Sequence, residues 1–273
     1  MIGTIPAPAT NARVNAIFTD VYDALCRIIE KHHVTYDEYR EAVNWLTAAG
    51  TQAHEIPLLC DVFLATAVDN ENFAGDGGTA CNIEGPFYVP NAPRLELPYV
   101  LPKRDEDGET LRFSGTVRSA DGSPLAGALV DVWQANGNKE YSFVHPGVPE
   151  YNLRGQFSAD DAGRFEFETV VPSPYTIPDA GATGQLLAAL GRVPWRPAHV
   201  HFKITHPDAR TLTTQIYFEG DPWIGEDVAG AVKAPLIVAL ERRDDDRGQY
   251  AACSFDFVLP VGKSTPFKRP TCC

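Results

Sequence analysis

The chain has 273 residues, 44% hydrophobic and 10% aromatic, and a formal net charge of −13. That length holds one large domain, or a domain with an appendage, and the apolar content excludes a disordered chain. Such a charge opposes binding to nucleic acid or an anionic membrane, and no run of ~18 apolar residues is present to span a bilayer.

Six cysteines, Cys26, Cys60, Cys81, Cys253, Cys272 and Cys273, form no CxxC pair. Cys26 and Cys60 fall in apolar helical stretches, where reduced, buried thiols are expected, and a disulfide framework is not expected in a chain this long. Disorder is the default for the terminal Cys272–Cys273 pair. The opening residues lack the basic region and long apolar run of a signal peptide, so a cytoplasmic location is expected.

Residues 1–75 read as a helical segment. Thr10 or Asn11 can cap a first helix that carries Val14, Ile17, Phe18, Val21, Leu25, Ile28 and Ile29 on one face. Thr35, with Glu38 three residues on, has the form of a capping box that opens a second helix, ended at Gly50. Pro57 starts a third, with Leu58, Leu59, Val62, Phe63 and Ala67. Such stripes pack either on the rest of the chain or across a dimer.

Residues 76–273 change to short alternating strands: 111–117, then the turn Asp121-Gly122, then 128–133, 163–170, 198–204, 212–218 and 254–259. The spacing predicts an antiparallel β-sandwich, giving a mainly β fold. Two irregular stretches, 134–160 and 172–197, are long enough to carry function.

The sharpest motif is Arg196-Pro-Ala-His199-Val-His201. On a strand both imidazoles point the same way, about 6–7 Å apart along the backbone, and can share one metal ion. Two satisfied histidines in a sheet are the plainer reading of that motif taken alone. Each long loop also carries a tyrosine flanked by prolines, Tyr151 and Tyr175. Alone, such a tyrosine is an amphipathic packing residue.

Five blocks occur in order: Ile83-Glu-Gly-Pro-Phe-Tyr-Val89, Ala126 to Gln134, Tyr151-Asn-Leu-Arg154, Gly191 to His201, and Leu212-Thr-Thr-Gln215. That series resembles the intradiol ring-cleavage dioxygenases of the catechol 1,2-dioxygenase type, over roughly residues 10 to 260. The resemblance implies a sandwich core, N-terminal helices that form a homodimer contact, and iron(III) held by two tyrosinates and two histidines. Carried over by position, the ligands are Tyr151, Tyr175, His199 and His201. Two phenolates are hard, strongly donating anions that favour ferric iron. Their unperturbed pKa of ~10 requires a strong Lewis acid to keep them ionised. Catalytic zinc instead prefers His with Asp, Glu or Cys.

The implied reaction takes an aromatic 1,2-diol and O2 to a cis,cis-muconate-type product. Tyr175 is the ligand displaced by the diol, and Arg196 stabilises charge on the ring. Gln215 stands beside the metal. The implied pocket wall is Leu58, Asp61, Ile83, Gly85, Pro86 and Phe87. Asp61, the Tyr175-Thr-Ile-Pro178 run and Pro194-Trp-Arg196 are closer to the hydroxyquinol and chlorocatechol branches than to plain catechol enzymes. Two other readings stay open: a metal-free sandwich binding module, and a zinc hydrolase on His199, His201 and a carboxylate such as Glu84.

Overall fold

A computed structural model describes residues 12–52, 54–73, 77–260 and 262. The expected cap at Thr10 or Asn11 and the Cys272–Cys273 pair lie outside them. Two compact units divide between Ala53 and His54. The helical residues from Ile56 to Phe73 therefore belong to the unit that contains the sheets, whereas the composition change suggests a boundary after residue 75.

The first unit holds α1 (Ala12–His32) and α2 (Tyr36–Thr51). The capping box forms as expected: the Glu38 N–H donates to Thr35 Oγ1 (3.3 Å) and the Thr35 N–H to Glu38 Oε2 (2.8 Å). Gly50 does not end α2, which runs one residue further to Thr51. The apolar stripe of α1, from Val14 through Phe18 to Ile29, is exposed, and α1 buries none of its residues.

The second unit opens with the helix expected at Pro57, in three parts. These are α3 (Ile56–Cys60), a π-helical turn (Asp61–Ala65) and α4 (Thr66–Phe73). Pro57 sits in the first turn, where a missing N–H leaves no bond unmade. Such π turns interrupt α-helices frequently at functional sites.

The strands are β1 (Tyr99–Val100), β2 (Thr110–Ser119), β3 (Leu129–Gln134), β4 (Arg154–Ser158), β5 (Arg164–Val170), β6 (Tyr175–Thr176), β7 (Trp195–Arg196), β8 (His199–Thr205), β9 (Leu212–Phe218), β10 (Ile237–Val238), β11 (Glu241–Asp245) and β12 (Gly248–Leu259). A short helix α5 (Ala182–Ala189) interrupts the second long loop. One five-stranded sheet has the order β1-β5-β2-β12-β11, the other β10-β9-β8-β3-β4, and β6 and β7 pair separately.

The sandwich forms, but its sheets are mixed. The pairs β1–β5, β10–β9 and β12–β2 are parallel. The reason lies at the Asp121-Gly122 turn, which carries the chain from β2 in one sheet to β3 in the other. The strand that later returns beside β2 is β12, travelling in the same direction.

Strand alternation divides the second sheet into two faces. Val130, Val132, Val200, Phe202, Ile204 and Ile216 point into the space between the sheets. There Phe202 meets Phe113 (ring centres 5.0 Å apart) and Phe257 (4.8 Å). The opposite face carries Arg154, Trp133, His199, His201, Gln215 and Tyr217, all buried. A second apolar cluster that includes Leu58, Val62, Ile177, Leu187 and Val228 packs with Trp133 on that side. Around Trp133, His199 and His201 both faces are thus buried, although β8 alternates polar and apolar residues along its length. Among the described residues no helix is long and apolar enough to cross a membrane.

Gly115, in the middle of β2, leaves no room for a side chain. A Cβ there would run into the Phe255 carbonyl and the Phe165 ring. We predict that Gly115→Ala destabilises the protein by about 1–3 kcal/mol in urea unfolding. Gly225→Ala, with open space around it, should change stability by less than ~0.5 kcal/mol. Equal effects would contradict this packing.

Candidate metal centre

His199 and His201 face each other on β8, with their Nε2 atoms 3.0 Å apart. His199 Nδ1 lies 2.7 Å from the Pro197 carbonyl, an acceptor only. Nδ1 therefore carries the proton and Nε2 presents its lone pair to the centre. Trp133 stacks on the His201 ring at 4.5 Å and 10°. Burial and then the charge of Arg196 pull the His199 pKa down to about 3. Burial, followed by His199 and Arg196, lowers that of His201 well below its ordinary value. Both rings are thus neutral and able to act as ligands.

Tyr175, on β6, closes one side of the pair, its ring centre 5.6 Å from that of His199. The next tyrosine in the cluster is Tyr141, not Tyr151. Tyr141 is 1% exposed and meets Tyr175 edge-on at 5.5 Å. Burial raises both phenols, with Tyr141 lifted well above its usual range. Tyr151 instead lies half-buried, in left-handed backbone (φ 56°) at the turn that enters β4. Its ring packs edge-on against Phe143 at 4.7 Å, with Lys103 Nζ 5.4 Å from its centre. The structure therefore does not bring Tyr151, expected as a ligand, into this cluster; the tyrosine it places there beside Tyr175 is Tyr141. Both tyrosines sit in one long loop, and only its fold decides which turns inward.

Three buried polar atoms in this cluster lack hydrogen-bond partners, Trp133 Nε1, Tyr141 Oη and His201 Nδ1. Nitrogens sharing one ion at ~2.1 Å each must lie within ~4.2 Å of one another, and these lie closer than that. The donor set is two phenols and two imidazoles, which fits ferric iron better than zinc. Among the described residues no three His, Cys, Asp or Glu side chains come together for a metal. Glu84, the carboxylate of the zinc reading, is partly exposed and pairs with Lys203 at 2.6 Å.

Arg196 is 4% exposed, and its ion pair is internal. Its Nε donates to Asp227 Oδ1 (3.0 Å) and its Nη2 to Gln215 Oε1 (2.8 Å), while Nη1 stands 3.5 Å from His199 Nε2. Burial opposes the guanidinium charge, yet Asp227, Tyr217 and Tyr175 hold its pKa well above the usual value. Burial also works against the Asp227 carboxylate, but Arg196 and the Ala231 N–H keep its pKa below the ordinary range. Gln215 is fixed at its other end, where Nε2 donates to the Ile83 carbonyl (2.7 Å). Tyr217 donates to Gln215 Oε1 (2.8 Å) and accepts from Asn82 (3.2 Å). Asp227 and Tyr217 are not marked by any motif in the sequence. The one available signal for Asp227 is an acid followed by the apolar run Val228-Ala-Gly-Ala231.

A narrow cleft opens beside these groups. Its wall includes Leu58, Asp61, Ile83, Gly85, Pro86 and Phe87, together with Tyr175, Arg196 and His201. All six residues expected at the wall are therefore on one surface, facing one tyrosine, the arginine and one histidine. The π-helical turn supplies Asp61 and Val62. Burial raises the Asp61 carboxyl above its ordinary value, with Arg196 pulling the other way.

Residues 83–261 match the family model described as Dioxygenase, and residues 11–79 match the model described as Catechol dioxygenase N terminus. The chain is 40% identical to a chlorocatechol 1,2-dioxygenase of Rhodococcus opacus, covering 91% of this chain and 98% of the relative. It is 35% identical to a 6-chlorohydroxyquinol 1,2-dioxygenase of Cupriavidus pinatubonensis, over 93% and 92% of the two chains. The crystal structure of 3-chlorocatechol 1,2-dioxygenase from Rhodococcus opacus superposes with a TM-score of 0.87, covering 93% of this chain and 100% of that one. Matched nearly end to end in sequence and in structure, this chain belongs to the intradiol ring-cleavage dioxygenase family.

Proposed function

We propose that the chain uses iron(III) and O2 to cleave an aromatic 1,2-diol between its two hydroxylated carbons, giving a cis,cis-muconate-type product. Tyr141, Tyr175, His199 and His201 are the proposed ligands. The observation that carries this reading is the pair of imidazole nitrogens 3.0 Å apart, with Tyr175 packed beside His199, Tyr141 edge-on against Tyr175 and no carboxylate in the set. Ferric iron held by these four residues would supply Lewis acidity toward the diol.

The protein's own groups do the rest. Tyr175 lines the cavity while Tyr141 does not, so the Tyr175 oxygen is placed to receive a proton from a diol hydroxyl. Arg196, held charged and aimed by Asp227 and Gln215, sets a fixed positive charge at the cavity wall, where negative charge builds up on the ring. Leu58, Val62, Ile83, Ile177 and Val228 form an apolar slot for a flat ring and keep water from it. Asp61 is the polar group on that wall remote from the ligand set in sequence. It suits a diol with a further ring substituent, and the third hydroxyl of hydroxyquinol is one it can hydrogen-bond. The similarity to chlorocatechol and chlorohydroxyquinol enzymes supports a substituted diol in the same slot.

We further propose a homodimer joined through α1, whose exposed apolar stripe is what such a contact would bury. A cytoplasmic location is supported by Cys26, Cys60, Cys81 and Cys253, all free thiols, as a reducing compartment keeps them.

Protein loaded with iron under air should absorb visible light through the bound tyrosinates and look red. Tyr141→Phe and Tyr175→Phe should each shift or abolish that band, and Tyr151→Phe should leave it in place. A colourless loaded protein would refute the ferric reading, and loss of the band only in Tyr151→Phe would restore the ligand set implied by resemblance. Asp61→Ala should lower kcat/KM for hydroxyquinol by about tenfold or more, as expected for one hydrogen bond to a charged group, and leave catechol nearly unchanged. Parallel steady-state rates on hydroxyquinol, 4-chlorocatechol and catechol check this. Light scattering should give twice the chain mass, falling to one chain mass when Phe18 and Leu25 are both replaced by Glu.

A further inference from the structure

The register of the second sheet places four side chains abreast. Arg154 on β4 pairs with Trp133 on β3, Trp133 with His201 on β8, and His201 with Gln215 on β9. Residues paired in this way share a face, and all four are at most 2% exposed. The row leads from Gln215, which holds Arg196, past a candidate ligand to a second buried guanidinium.

Arg154 differs from Arg196 in having no carboxylate. Its Nε donates to Ser142 Oγ (2.7 Å) and its Nη2 to the Ser142 carbonyl (3.2 Å). Its Nη1 is buried without a partner. Asp131, two residues before Trp133 on the same face, accepts hydrogen bonds from Tyr88 and Gln156 instead. Asp131 therefore acts on Arg154 only as a nearby charge and makes no ion pair with it, which leaves the buried guanidinium without a direct anionic partner. The guanidinium carbon lies 5.6 Å from the centre of the Tyr141 ring. Ser142, the residue it clasps, follows Tyr141 directly in the chain.

We infer that Arg154 is a positioning residue for the metal centre. It fixes Tyr141 by clasping Ser142, and its buried charge is the counterpart of the phenolate that Tyr141 presents to iron. The inference rests on the ferric tyrosinate reading above and extends it beyond the ligands themselves. Residues that orient metal ligands from behind are worth about 10–100-fold in metal affinity when removed. A positive charge beside a phenolate also lowers the energy of its electrons, which moves light-driven electron transfer from phenolate to iron to shorter wavelength.

The test compares iron-loaded wild type with Arg154→Gln, Arg154→Lys and Ser142→Ala, by visible absorption and by iron retained against a chelator. Arg154→Gln should move the band to longer wavelength and weaken iron binding about 10–100-fold. Arg154→Lys should return the band to the wild-type position. Ser142→Ala, which leaves the core filled and the charge present, should weaken iron binding about tenfold with the band unmoved. A coloured wild type whose band stays at the same wavelength in Arg154→Gln, with iron retention unchanged, would overturn this inference alone. Should Arg154→Gln not fold, unchanged iron retention in Ser142→Ala would overturn it. A colourless wild type would overturn the ferric reading and this inference with it.

Discussion

Everything at the centre depends on the alternation of one strand. In β8, Val200, Phe202 and Ile204 anchor the sandwich interior, and His199 and His201 between them face the other way. The same short strand therefore serves packing and chemistry at once. Sliding the strand by one residue would exchange the two faces, so the hydrophobic core itself fixes the position of the imidazoles. Backbone pairing to β3 and β9 on either side removes the remaining freedom.

Around that strand the protein keeps two guanidinium groups out of water by different means. Arg196 has a dedicated carboxylate, Asp227, itself held by the Ala229 and Ala231 N–H groups. Arg154 has a serine and the face of a tyrosine. The first arrangement is complete in the protein alone. The second has unsatisfied atoms, as do Tyr141 and His201, and orphaned polar atoms of this kind point to something the chain is built to receive.

Much of the architecture is legible in the sequence because long, regular elements announce themselves. The capping box at Thr35, the strands around residues 111–117, 164–170 and 199–204, and the paired histidines all follow from local periodicity. The direction of β12 does not, since parallel pairing with β2 depends on a partner more than a hundred residues away. The two- to five-residue strands β1, β4, β6, β7, β10 and β11 are too short for alternation to register, and β11 is charged throughout. The choice between Tyr141 and Tyr151 is likewise a matter of how a loop folds back. Ten residues apart in similar polar settings, they differ in that Tyr151 occupies a positive-φ turn that directs it toward Phe143. Asp227 escapes sequence reading because its role exists only in relation to Arg196, thirty-one positions earlier.

The π-helical turn at Asp61–Ala65 separates two kinds of change. The groups proposed to hold and charge the centre are rooted in strands and their connecting loops, whereas Leu58, Asp61 and Val62 of the cavity wall stand on a helical element with one extra residue in its turn. A residue gained or lost there re-aims the wall through local rewinding of one helix, without disturbing the register of any strand. Descendants of such a scaffold can thus drift in the ring substituents they accept while the oxygen chemistry is inherited intact.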